Sequence, residues 1–406
     1  ALANSVVGHY SGGPAKVAIF SSALQGTISG SSVANVVTSG SYTIPMMKRL
    51  GYNKNFAGAV EASASTGGQL MPPIMGAAAF LMVEFIGRGI TYWDIAKAAA
   101  IPALLYFTGI WIMTHFEAKR LGLKGLTEEE MPNRIEVFKK IYLLTPILLI
   151  IVLMMNGMHV AHSALYGILA CIVVGFINPD VKLGIKELIE ALADGARSAL
   201  AVAAATACAG IIVGVVVKTG LGLSLATSLV KLAGGSILLT LIFVMFASLI
   251  LGMGAPTTAN YVITSTIAAP AIITLLAPGV SQDMLPLVVL LSAHFFVFYF
   301  GIIADITPQV ALAAFAASSI SGGDPINTGV YSAKLAIAAF IIPYIIVFSP
   351  AILMVDVTIV QIIWITITAV LGMIAIGAGV IGYWYRPLKW FERIILIAAG
   401  LAMIYP

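Results

Sequence analysis

Apolar residues along this chain gather in runs close to the length that carries a helix across a bilayer. Runs at about 91–116, 141–156, 160–178, 198–217, 329–355 and 358–383 each predict a spanning helix, with 141–156 the shortest. The hydrocarbon layer calls for roughly 20 residues of helix. Two further stretches are apolar but broken. Residues 17–47 are interrupted by Ser29-Gly30-Ser31-Ser32, and residues 236–277 by Gly252-Met253-Gly254-Ala255-Pro256-Thr257-Thr258. Two short apolar halves joined by a small polar break predict a re-entrant helical hairpin whose tip lies inside the membrane. Such a tip is tolerated only where protein or a water-filled cavity satisfies its backbone. Interrupted spans at about 55–86 and 285–320 follow the two hairpins.

Polar positions concentrate elsewhere. Residues 117–140 carry 11 of the 38 charged residues, including Glu128, Glu129, Glu130, Arg134, Lys139 and Lys140, and read as a solvated loop or arm. Residues 179–197 read as an amphipathic helix lying at the interface. Composition then settles the class. Hydrophobic residues make up 60% of the chain and charged residues 9%, with a mean hydropathy of +1.04. A soluble domain carries about 25% charged residues, so lipid is the solvent for most of this chain. The expected fold is an all-α integral membrane protein. Net charge is +4 with no dense basic cluster, which gives nucleic acid nothing to bind. Cys171 and Cys208 sit in separate apolar runs and read as packing residues. Ala1 opens inside a structured-looking segment with no initiator Met and no signal peptide, so a fragment lacking an N-terminal portion is expected.

The broken segments also repeat. Ala34-Asn35 precedes Ala259-Asn260 by 225 residues, and Pro45 precedes Pro270 by the same offset. Pro73 and Ala78-Ala79-Phe80 precede Pro308 and Ala313-Ala314-Phe315 by 235. Repeated Gly/Pro-interrupted segments point to a transporter binding site. The organisation expected is first-repeat transport elements in 1–86, scaffold helices and a cytoplasmic arm in 87–197, second-repeat transport elements in 198–328, and membrane helices in 329–406. Counting spans from a first hairpin flanked by Lys16, Lys48, Arg49 and Lys54 puts 117–140 inside and makes the second hairpin enter from outside. The repeat is then inverted. Lys218 and Lys231 fall outside in this scheme and run against it.

These motifs resemble the large membrane subunit of tripartite ATP-independent periplasmic (TRAP) transporters. The resemblance is carried by Ser29 to Asn35, Thr43-Ile44-Pro45-Met46-Met47-Lys48-Arg49-Leu50-Gly51-Tyr52, Ser65-Thr66-Gly67-Gly68-Gln69-Leu70-Met71-Pro72-Pro73 with its continuation to Phe80, and Gly254-Ala255-Pro256-Thr257-Thr258-Ala259-Asn260. It covers essentially the whole chain and is closest in flavour to the fused type that pairs with TAXI-class receptors. It implies an elevator mechanism and sodium as the coupling ion, with no cofactor. The partners it implies are a periplasmic solute-binding receptor, a small membrane subunit or its fused equivalent, and a small organic anion such as a C4 or C5 dicarboxylate. The location implied is the bacterial or archaeal cytoplasmic membrane.

The chemistry at the breaks fits that implication. Sodium is a hard cation and takes oxygen ligands. Ser32, Asn35 and Gly67 in the first half, and Gly254, Thr257, Thr258 and Asn260 in the second, offer hydroxyl, amide or carbonyl oxygens. Asp305 lies next to Pro308 in a mid-membrane interruption. A carboxylate there costs about 2.5–3.5 kcal/mol or more unless compensated, and the resemblance places it with Ser32 and Asn35 around one sodium. The competing reading is that the small polar residues only permit close helix packing, with Asp305 bonded to nearby hydroxyls. Glu61 and Glu84 read as solvated or packing residues nearer the span ends. No buried Arg or Lys is in view for an anion. Ser29, Gly30, Ser31, Ser65 and Thr66 are candidates for binding it, with Pro256 as the first residue of a half-helix whose N-terminus faces it. His159 and His162 lack an acidic or Cys partner for a metal. Hydrolase motifs are missing, so no enzyme is expected. A channel would need a continuous polar pathway. A receptor-independent divalent-anion symporter is the alternative carrier.

The topology can be checked with single cysteines. One placed within 120–130 should be shielded from impermeant thiol reagents added outside, and one at 279–282 should react. Labelling of both from the same side would rule out the inverted arrangement.

Overall fold

The computed structural model of the protein describes residues 2–127, 131–179, 183–281 and 284–404. Glu128, Glu129 and Glu130, read above as loop positions, lie outside the described residues. Regular structure among the described residues is helical, apart from an isolated bridge between Tyr383 and Pro387. A helix pairs its backbone groups within one segment, which is what an apolar solvent demands.

A short α1 (Leu2–Val7) leads into the first hairpin, α2 (Gly13–Ser29) and α3 (Ser32–Arg49). The first interrupted span follows as α4 (Lys54–Gly67) and α5 (Ala77–Ile86), and then comes the long α6 (Tyr92–Arg120). Beyond the polar segment lie α7 (Arg134–Lys139) and the packed pair α8 (Thr145–Met155) and α9 (Val160–Ile177). The second half begins with α10 (Ile185–Thr219) and α11 (Leu221–Leu232). Its hairpin is α12 (Ile237–Leu251) and α13 (Thr257–Ile267), the latter continued by α14 (Ala269–Leu276). Its interrupted span is α15 (Leu287–Ile303) and α16 (Leu312–Ser321). Helices α17 (Pro325–Leu335), α18 (Ile337–Phe348), α19 (Ile359–Ile381) and α20 (Trp390–Ile404) follow.

By length and composition, four described segments can each cross a bilayer: Tyr92–Arg120, Val160–Ile177, Thr257–Leu276 and Ile359–Ile381. Counting α17 with α18, bent by 40°, and the end of α10 with α11, bent by 71°, raises the number to six. Two expectations change. From Ile185 on, the interfacial helix expected at 179–197 and the span expected at 198–217 are one 35-residue helix, α10, while residues 180–182 lie outside the described residues. No proline lies between Pro179 and Pro256, so nothing breaks the ladder until Gly220 caps it in the left-handed region at φ 68°. Cys171 and Cys208 are free thiols on exposed faces and are not packed inside.

The hairpins and the interrupted spans interlock. Helices α2, α3 and α4 pack on one another, and α13 packs on α15. Across the halves, α3 packs on α16 and α13 packs on α5. The second arm of each hairpin therefore rests on the second half of the other interrupted span. Long helix α6 backs this core on one side and carries α18 and α19 on its flanks.

Glycine pairs hold the first break closed. A Cβ on Gly26 would stand 2.1 Å from Gly68 Cα, and one on Gly30 would stand 2.4 Å from Gly76 Cα. The descending arm of the hairpin thus touches the break of the interrupted span backbone to backbone. Gly26→Ala should cost about 1–3 kcal/mol by overpacking against main chain that has nowhere to move. Gly195→Ala, with nothing within 4 Å of its Cβ, should cost nothing. Thermal unfolding of the purified protein in detergent separates them, and equal melting of the two variants would mean that the contact yields.

Candidate functional site

The site forms where the first hairpin tip meets the second interrupted span. Helix α2 ends on Gly30 in the left-handed region at φ 57°, and Ser31 then takes an extended conformation. The Ser31 hydroxyl caps α3 by accepting from the Ala34 N–H at 3.4 Å. This turn sends Ser32 toward the other half of the chain, where its hydroxyl donates to Asp305 Oδ2 at 2.8 Å. Asp305 occupies the break between α15 and α16 and is 5% exposed. Its backbone carbonyl accepts from the Ala313 N–H at 3.1 Å, which ties the broken ends together. The Gln69 side chain also serves the Asp305 carboxylate. No salt bridge reaches Asp305 among the described residues.

Asn35 lies one turn beyond Ser32 and is fully buried. Its Oδ1 accepts from the Ser29 hydroxyl at 2.5 Å, and its Nδ2 donates to the Ser65 carbonyl at 3.5 Å. Gly68 admits this approach, and its neighbour Gly67 admits the Tyr106 ring from α6. A Cβ on Gly68 would lie 2.8 Å from Asn35 Nδ2, and one on Gly67 would lie 2.2 Å from the Tyr106 ring. The structure therefore gathers Ser29, Ser32, Asn35, Ser65, Gly67 and Asp305 around one junction of breaks. Two buried oxygens there, Thr66 Oγ1 and Gln69 Oε1, have no hydrogen-bond partner among the described residues. A hard cation wants such oxygens beside a carboxylate.

The second hairpin repeats part of the arrangement. Asn260 is buried, and its Nδ2 donates to the Gly301 carbonyl at 2.8 Å, near the end of α15. Asn35 does the same to Ser65 near the end of α4. A Cβ on Gly252 would lie 2.1 Å from Asn260 Nδ2. Asn260 Oδ1 is buried without a partner among the described residues. Thr258 is buried at the start of α13, Thr257 half-buried, and Gly254 and Pro256 exposed. None of these four is hydrogen-bonded to Ser32 or Asp305 among the described residues. Pro256 stands at the N-cap, with Thr257 as the first helical residue, one position from the sequence expectation.

Comparison with known proteins follows the same outline. The family model of the tripartite ATP-independent periplasmic transporter DctM component matches residues 1–361. This chain belongs to that family. Among curated relatives, the sialic acid TRAP transporter large permease protein SiaM of Vibrio cholerae is 30% identical over 151 residues, 37% of this chain and 34% of that one. The C4-dicarboxylate TRAP transporter large permease protein DctM of Rhodobacter capsulatus is 27% identical over 149 residues, 34% of each chain. The sialic acid TRAP transporter permease protein SiaT of Haemophilus influenzae is 28% identical over 200 residues, 47% of this chain and 31% of that one. The chain thus spans about a third of the length of the curated relatives it matches.

Two residues of this DctM-family chain escaped the sequence reading. Gln69 follows Gly67-Gly68 directly, so its place at the break was visible, but an amide at a helix end carries no sign of what it faces. Glu61 was expected as a solvated or packing residue nearer a span end. It sits inside α4, fully buried, where four hydroxyl groups meet its carboxylate, which is the packing alternative and not the solvated one. Glu84 is exposed, on the rim of an apolar cavity of about 620 Å³ between α5, α6, α8 and α9.

Asn35→Ala and Asn260→Ala should each destabilise the protein by about 1–3 kcal/mol, because each strands a carbonyl at a helix break. The two share no partner, so the losses should add in the double variant. Thermal unfolding of the three variants tests this, and a neutral Asn260→Ala would remove the parallel between the halves.

Proposed function

We propose that this chain is the permease of a sodium-coupled TRAP-type secondary transporter that imports a small organic anion delivered by a periplasmic receptor. The observation that carries the reading is the buried Asp305 carboxylate. It is held by Ser32 from the opposite half, has no basic partner among the described residues, and meets the Gln69 side chain, whose buried oxygen has no partner among the described residues. A sodium ion bound there would balance the charge that the apolar surroundings penalise. In this reading Ser32, Asn35, Gly67 and Asp305 serve one sodium, and Gly254, Thr257, Thr258 and Asn260 serve a related position in the second half. The substrate anion lies between the hairpin tips, facing Ser29, Gly30, Ser31, Ser65, Thr66 and the α13 N-terminus after Pro256.

The interlocking of each hairpin with the other half supports an inverted repeat that moves as one body against the scaffold. Curated relatives named for sialic acid and C4-dicarboxylates support a carboxylate as cargo. A small membrane subunit, separate or fused, completes the assembly in the cytoplasmic membrane.

Two measurements test the proposal. Full-length protein in liposomes should accumulate substrate only with an inward sodium gradient and the loaded receptor. Uptake undiminished in sodium-free buffer would reject sodium coupling, and uptake without the receptor would favour a receptor-independent symporter. Asp305→Asn keeps an oxygen in place but removes the charge. It should raise the half-maximal sodium concentration while receptor docking stays normal, and Asp305→Ala should nearly abolish uptake. An unchanged half-maximal concentration in Asp305→Asn would take Asp305 out of the site.

A further inference from the structure

Arg120 lies in the last turn of α6, Lys334 in the last turn of α17, and Arg393 in the first turn of α20. Though far apart in sequence, the three line one cavity of about 230 Å³, together with Glu117 and Tyr331. Helix α19 brings them together, since it packs on both α6 and α20. Its glycines set the fit. A Cβ on Gly379 would lie 2.9 Å from the Arg393 carbonyl oxygen, and one on Gly372 would lie 2.8 Å from the Gly400 carbonyl oxygen. Arg393 is then fixed against α19, with Nε donating to the Gly379 carbonyl at 2.8 Å and Nη2 to the Val380 carbonyl at 2.9 Å.

Charge in this cavity does not balance. Three cations meet one carboxylate, Glu117, and Arg120 already holds it with two hydrogen bonds, Nε to Oε2 at 2.7 Å and Nη2 to Oε1 at 2.5 Å. Glu392, beside Arg393 in sequence, is engaged elsewhere. It accepts from Arg386 at 2.6 Å and from the Lys389 N–H at 2.8 Å. Neither Lys334 nor Arg393 reaches a carboxylate among the described residues. Lys334 donates no hydrogen bond among them either, and its ammonium lies 5.5 Å from the Tyr331 ring centroid. A ring face takes up part of the charge but leaves the three N–H donors of an ammonium without an acceptor. The cavity thus has both room and unused donors for an anion.

Its surroundings name the anion. The loop between α19 and α20 runs Tyr383-Trp384-Tyr385-Arg386-Pro387-Leu388-Lys389 into Trp390 and Phe391. Tyr385 is 89% exposed and Trp390 75%. Tyr and Trp gather at the depth of the lipid headgroups, and Lys and Arg gather on the side of the anionic leaflet. Arg393 lies one turn from Trp390, which puts the cavity at that depth. Beyond it, Ile394, Ile395 and Leu401 leave an exposed apolar face on α20. We infer that Arg120, Lys334 and Arg393 form a site for the phosphate of an acidic phospholipid headgroup, with the acyl chains on that apolar face. Basic pockets between membrane helices bind such headgroups. The lipid ties α20 to α6 and α17. The family match ends at residue 361, so α20 and its arginine lie outside it.

Binding of phosphatidylglycerol to the delipidated full chain in detergent, followed by native mass spectrometry, tests the site. Phosphatidylcholine with the same acyl chains is the neutral comparison, and inorganic phosphate is the soluble competitor. Phosphatidylglycerol should be retained in preference to phosphatidylcholine, and an equal concentration of inorganic phosphate should not displace it. Lys334→Gln gives up no hydrogen bond within the protein, so the fold should survive. It should weaken phosphatidylglycerol binding about tenfold or more, as expected for a lost hydrogen bond to a charged group. Lys334→Arg keeps the charge and should keep the affinity. Lys389→Gln removes a cation from the same loop region but not from the cavity, and should change little. Equal retention of the two lipids overturns the inference. Equal losses in Lys334→Gln and Lys389→Gln also overturn it, because the attraction would then belong to the surface as a whole. Displacement by inorganic phosphate overturns the lipid as occupant and leaves a site for a soluble phosphate.

Discussion

Broken helices in an apolar solvent impose the constraint on which this structure depends. Each break strands backbone N–H and C=O groups that lipid cannot pair. The protein answers with Asn35 and Asn260, buried amides that reach from a hairpin arm to a carbonyl near the end of the neighbouring half-helix, Ser65 and Gly301. Their reach depends on glycine. Gly68 and Gly252 leave the space in which each amide lies, and Gly26 and Gly30 bring the hairpin main chain against the break. Replace any of these and a polar group is orphaned or a backbone contact is forced apart.

The same constraint places the chemistry. A break is where oxygen atoms can stay unbonded inside the membrane, and this chain puts a carboxylate at one of them. Asp305 is bonded by Ser32, a residue 273 positions away in sequence, so this contact joins the hairpin break of one half to the break in the interrupted span of the other. Charge without a basic partner is costly in such a place. A cation bound there, as proposed above, would draw its affinity from that cost and would be linked to the packing of the two halves.

Much of this was legible in the primary structure. The hairpin break at Ser29-Gly30-Ser31-Ser32 falls between Ser29 and Ser32, where the helices end and resume. Asp305 was recognisable because a carboxylate among Phe295–Ile303 and Ala311–Ala317 has no cheap explanation. Helix α10 was not legible as one element, since amphipathic and apolar stretches join without any local signal when no proline separates them. Whether Glu61 was solvated or packed stayed open for a different reason. The distance of a residue from a span end is a poor guide to solvation when three helices close over it.

What the sequence determined by itself was therefore the solvent, the helical class, the positions of the breaks and the residue types available at them, because hydropathy, glycine, proline and a misplaced carboxylate act locally. What only the tertiary structure decided was which break meets which. That Ser32 turns to Asp305, that Asn260 reaches Gly301, that Gln69 joins the first of these and that four hydroxyls converge on Glu61 are consequences of helix packing, across as many as 273 residues of sequence. Side-chain direction at a helix end depends on the cap and on the neighbour it packs against, and neither is written in the residues of that end alone.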